Sequence, residues 1–116
     1  MAVTAYQKAQ RAADNPRSTE YRLFGQVTGA LMDAQNTGAR GPTLVEAIDW
    51  NRRMWSTFAV DCMDNANQLP RELRAQIISL SLWVTRYSSE VVQQNAPLDP
   101  LIDVNRTIMQ GLRGAA

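Results

Sequence analysis

The stretch between Pro70 and Pro97 constrains the fold more than any other part of the chain. Leu73, Ile77, Leu80, Val84, Tyr87 and Val91 recur at spacings of four and three, the period of one face of an α-helix. A helix of about Pro70 to Gln94 with such a seam has to bury it against other elements, and the rest of the chain offers helices. Ala96-Pro97-Leu98-Asp99-Pro100 breaks the pattern, and Asp99 is placed to cap a last helix with the stripe Leu101, Val104, Ile108 and Leu112, ending near Gly114. Upstream, Thr43-Leu44-Val45-Glu46 has the form of a capping box. It precedes Leu44, Ile48, Asn51, Trp55, Phe58 and Cys62, again at helical spacing, and Met63 to Leu69 reads as the connection that follows. Asn15-Pro16 reads as an N-cap and a first-turn proline for a helix to about Asn36, with Leu23, Phe24, Val27, Leu31 and Ala34 as its stripe. Gly25 and Gly29, on the other side, weaken that helix unless a neighbour packs closely. A weakly amphipathic segment from about Val3 to Ala13 comes first. No strand-like alternation of useful length occurs. The expected fold is therefore all-α: a single-domain helical bundle over 1–116, with four main helices and a short N-terminal one.

A chain of 116 residues, 45% apolar and 20% charged, can bury a hydrophobic core without metals or disulfides. Its one cysteine, Cys62, cannot form an internal disulfide and is expected to be a small buried hydrophobe. No run approaches the roughly 20 apolar residues of a membrane span, and the first residues lack the basic-then-apolar pattern of a secretory signal. The expected location is cytoplasmic, with no membrane partner.

Histidine is absent, which removes the commonest general base and the commonest zinc ligand. No glycine-rich phosphate loop and no paired cysteines are present. The expectation is a protein without catalytic residues, cofactor or metal, and not an enzyme. Net charge is +1, and neither sign forms a run, so a nucleic-acid partner is disfavoured. Eleven of the twelve basic residues are arginine, which compositional bias explains more simply than a binding role.

The densest unusual cluster is Asp49-Trp50-Asn51-Arg52-Arg53-Met54-Trp55. Projected on a helix, Ile48, Asn51, Trp55 and Phe58 face the core, whereas Trp50 lies at the stripe's edge beside Met54. Trp55 is therefore assigned to packing. Trp50 fits either core or interface, because tryptophan and arginine are enriched at binding hot spots. Asp49 and Arg53 are four apart and can pair on the outer face. Asn51 and Asn105 interrupt apolar stripes; registry is the favoured role for each, through Arg106 or a backbone carbonyl, over reading a partner's backbone. Ile78 and Leu82 fall almost opposite the Leu73–Val91 seam, with Trp83 on the flank. Burial under a neighbouring helix is the simpler account of these three, a second docking face the functional one. The candidate partner-binding residues are thus Trp50, Arg53, Met54, Ile78, Leu82 and Trp83.

Taken together, the segments resemble the FlaF family of flagellated alphaproteobacteria. The resemblance rests on Ala5-Tyr6-Gln7, Glu20-Tyr21-Arg22-Leu23-Phe24, the Asp49–Trp55 cluster, Leu73–Val84, and Leu101–Met109, five blocks in order over nearly the whole chain. It implies a small cytoplasmic protein that serves flagellin synthesis and export as a secretion chaperone or regulator. It also implies action beside FlbT, which represses translation of flagellin mRNA. Flagellin is then the expected partner, with FlbT as a further one. The physics is compatible: flagellin's terminal segments are amphipathic and aggregation-prone, and a helical protein with a spare apolar face can cover one by helix-in-groove packing. The competing reading is an RNA-associated regulator of the flagellin message, in which Trp50 stacks a base and Arg52 and Arg53 hold phosphates. Salt separates the two, because RNA binding weakens steeply with it and an apolar groove does not.

Overall fold

The computed structural model describes residues 16–115. Four helices follow one another: α1 (Pro16–Thr37), α2 (Gly41–Met63), α3 (Arg71–Gln94) and α4 (Asp99–Ala115). Among the described residues there is no strand, so the all-α expectation holds. The expected helix over Val3–Ala13, and Asn15 as a cap, lie outside the described residues.

Short connections turn each helix back on the one before it. Contacts then close a ring: α1 on α2, α2 on α3, α3 on α4, and α4 on α1. The last of these is antiparallel too. Gln35 pairs with Asp99 near one end, Thr28 with Asn105 in the middle, and Met109 lies 3.6 Å from where a side chain on Gly25 would begin. Gly29, by contrast, meets nothing within 4 Å among the described residues, so none of these compensates its weak helix propensity.

The stripes read from the sequence form the core. Phe24, Val27, Leu31 and Ala34 of α1, Ile48, Trp55, Phe58 and Cys62 of α2, Ile77, Val84 and Val91 of α3, and Leu101, Ile108 and Leu112 of α4 are all buried. Leu44, Leu73, Leu80, Tyr87 and Val104 pack on it from the rim. Leu23 departs from expectation, with 38% of its surface exposed. One residue of rotation from fully buried Phe24 carries it about 100° off the core face.

The helix ends show why some boundaries moved. After α1, the Gly38 amide bonds to the Gln35 carbonyl and the Ala39 amide to the Ala34 carbonyl, with Gly38 at φ 63°, a left-handed helix stop that glycine accepts without strain. Gly41 is also left-handed at φ 59°, so the chain reverses within three residues and Pro42 starts the next helix at once. The capping box expected at Thr43 and Glu46 is therefore corrected. α2 begins at Gly41, its N-cap is Arg40 with no side-chain cap hydrogen bond, and Thr43 already lies inside the first turn. Thr43→Ala should accordingly change stability by less than about 0.5 kcal/mol in a denaturant melt. A loss of about 1 kcal/mol or more is what a working cap would give.

The cap expected from Asp99 is corrected as well. The carbonyl that opens α4 is that of Leu98, which accepts from the Leu101 and Ile102 amides, and Asp99 is the first helical residue. Its carboxylate accepts instead from Gln35 Nε2 and ties α4 to α1. At the far end of α2, Arg74 donates to the Cys62 and Asp64 carbonyls at 2.9 Å each, placing a cation where the helix dipole is negative.

In the middle of the bundle lies a polar cluster. Trp55 Nε1 donates to Asn105 Oδ1 at 2.7 Å, and Asn105 Nδ2 donates to Asn51 Oδ1 at 2.7 Å and to Thr28 Oγ1 at 3.1 Å. Both asparagines are fully buried. The cluster joins α1, α2 and α4 in one register, the role expected of Asn51 and Asn105. Their expected partners are corrected: they bond each other, and Arg106 reaches Met32 Sδ instead.

Candidate functional site

Where α1 and α2 run side by side, their outward surface is hollow. Toward the start of α1, Leu23, Phe24, Met54 and Phe58 floor a hollow of about 410 Å³. Toward its end, Ala30, Ala34 and Ala47 floor a second of about 420 Å³. Trp50 lines both. The two are one groove with a large-residue end, a small-residue end and a tryptophan between them. It runs from Glu20 to Thr37 on α1 and from Asp61 to Thr43 on α2, roughly 25 Å at helical rise.

Trp50 sits here because its position on α2 is one edge round from Trp55. The core takes Trp55 at 1% exposure, edge-on to Phe24 with centroids 5.5 Å apart, and leaves Trp50 38% exposed. Met54 is buried at 6% and is floor rather than contact surface. Arg53 stands on the rim, its Nε donating to Asp49 Oδ2 at 3.0 Å, while Arg52 donates to the other oxygen at 3.0 Å. One carboxylate thus holds both arginines.

Of the six candidate partner-binding residues, the fold brings Trp50, Arg53 and Met54 together in this groove. Ile78, Leu82 and Trp83 belong to α3 and line neither hollow. Ile78 and Trp83 pack against the core, and Trp83 stacks on Tyr87 with centroids 5.0 Å apart. Leu82 alone is well exposed, at 69%. Tyr87 in turn donates to the Pro97 carbonyl at 2.7 Å. Burial, and then the carboxylates of Glu90 and Asp99, raise its phenol above the ordinary value of 10, so at neutral pH it remains a donor.

The sequence reading missed Leu23 as a groove residue and the alanines of the far end. Leu23 carried a signal, since it neighbours Phe24 and cannot share its direction. The alanines carried none, because a small residue on a helix edge is compatible with any surrounding. A third hollow, between α1 and α4 beside Tyr21, Arg22 and Arg113, is lined by a different set. Among the described residues no three acidic or cysteine side chains gather as a metal site, and no helix is long and apolar enough to cross a membrane.

Fold and groove together define a class: a small four-helix bundle, pinned by an internal polar cluster, with one long apolar groove open between two antiparallel helices. Within that class the chain belongs to the FlaF family, whose model, described as Flagellar protein FlaF, matches residues 2–112. It is a flagellar protein. Comparison with curated proteins finds no match, and comparison with solved structures finds none.

Proposed function

We propose that this flagellar protein binds flagellin in the cytoplasm, as a chaperone and regulator of its synthesis and export, beside FlbT. The observation that carries the reading is the α1–α2 groove in a member of a flagellar family: an apolar floor of Phe24, Met54 and Phe58 with half-open Trp50 above it. Such a channel takes the apolar stripe of an amphipathic helix. A rim of charged and polar side chains favours a reversible interface, which a protein that must release its cargo for export requires.

Calorimetry with monomeric flagellin tests this. Binding should be measurable and should weaken less than about ten-fold between low and moderate salt. The competing reading, contact with flagellin mRNA, needs Arg52 and Arg53 on phosphates, yet both already engage Asp49. An RNA interface of 6–10 phosphate contacts would lose about 10³–10⁵ in affinity over a similar salt range. No binding to full-length flagellin would count against the chaperone reading, and binding only to the message would replace it.

A further inference from the structure

We infer that the α1–α2 groove selects an amphipathic helix of about 17 residues that is basic where it lies over the small-residue end, a step that rests on the flagellin-binding reading for the protein that supplies the helix. The length follows from the groove, since an occupant at helical rise spans it end to end in about that number of residues. The charge follows from the rim. Glu20 and Asp61 stand at the large-residue end and Asp33 and Glu46 at the small-residue end. Among the described lining residues the only cation is Arg53, at the large-residue end, where Asp49 pairs it at 3.0 Å and pairs Arg52 as well.

Asp33 and Glu46 put a negative border on the small-residue end of the apolar channel, which no cation lines among the described residues. An acidic helix end lying there meets like charge, whereas lysines or arginines at that end of an apolar stripe meet opposite charge. Rim charges of this kind set partner choice and association rate more than they set affinity. The floor adds a polarity of direction. Bulky side chains of the occupant fit over Trp50, Met54 and Phe58, and its small ones fit where Ala30 and Ala47 let two backbones approach.

The test uses the full chain and two synthetic 17-residue helical peptides with the same apolar stripe, one flanked by lysine and the other by glutamate. Calorimetry at low salt should show the lysine peptide binding at least about ten-fold tighter, consistent with several rim charges acting together. The double variant Asp33→Lys, Glu46→Lys should erase or invert that preference while keeping its helical circular dichroism and melting temperature. Where the double variant melts early, Glu46→Lys alone gives the same readout in smaller measure. Equal binding of the two peptides, binding of neither, or a preference that survives the reversal would overturn the inference. So would peptide binding that emerges only when Lys8 and Arg11 are replaced by glutamate, which would give the groove to the chain's own N-terminal segment. A dimer that the reversal dissolves would give it to a second copy. Monomeric flagellin separates this inference from the reading it rests on. Flagellin bound equally by wild type and by the reversal variant overturns the groove assignment alone. Flagellin bound by neither, with the peptides discriminated as expected, overturns only the choice of flagellin.

Discussion

Trp55→Ala should leave the protein partly unfolded or insoluble at ambient temperature. Its indole is 1% exposed and meets Phe24 edge-on at 5.5 Å, so truncation opens a cavity at the centre of the bundle. Such large-to-small changes cost about 3–5 kcal/mol. The indole N–H also supplies the hydrogen bond to Asn105 Oδ1, and losing the donor leaves a buried carbonyl oxygen unpaired at a further cost of about 1–3 kcal/mol. Against the 5–15 kcal/mol or so that holds a typical domain together, the sum is decisive. Trp55→Phe weights the two contributions differently, because it keeps most of the ring volume while removing the donor. It should fold, with stability reduced by about 1–3 kcal/mol. Thermal and denaturant melts on both variants check this. A drop of less than about 5 °C for Trp55→Ala, equivalent to roughly 1 kcal/mol, would mean that the layer joining α1, α2 and α4 does not depend on this side chain.

That layer also marks how far the sequence could be read. Periodicity alone placed Trp55, Ile77, Val84, Ile108 and Leu112 in the core, where each is fully buried. It did so because a helix has one buried direction and large apolar residues reveal it. Proline marked helix starts well at positions 16 and 70, where it stands at or next to the first helical residue. At Thr43 and Asp99 a good cap residue misled, because a nearby proline had already begun the helix or the chain entered it from Leu98. Asn51 and Asn105 stood out as polar residues on apolar stripes, yet their pairing was not legible. It depends on α2 and α4 meeting at one level, which is set by the packing of all four helices. Thr28 gave no warning for the same reason.

The groove was legible along one stretch only, that of Trp50, Arg53 and Met54. Trp50 sat at the edge of a stripe among arginines, and the fold leaves it half-open where two hollows meet. For Ile78 and Trp83 a helical projection cannot say how wide the buried sector is, and the fold leaves both partly buried, packed against the edge of the core.

Trp50→Ala should therefore behave in the opposite way to Trp55→Ala. Its side chain is 38% exposed and carries no buried hydrogen bond among the described contacts, so truncation should lower stability by about 1 kcal/mol or less. It removes, however, the largest apolar surface in the middle of the groove. A central tryptophan bordered by less critical contacts is the typical hot spot, and its loss costs about 2 kcal/mol or more of binding, near 30-fold in Kd. The decisive measurement is the affinity of wild type and Trp50→Ala for monomeric flagellin by calorimetry, with thermal melts of the same preparations. The account predicts near-equal melts and a Kd raised about 30-fold or more in the variant. Unchanged flagellin affinity in a folded Trp50→Ala protein would contradict it. So would a Trp50→Ala protein that unfolds as badly as Trp55→Ala, since Trp50 would then be core and the docking surface would have to be sought on α3 around Leu82.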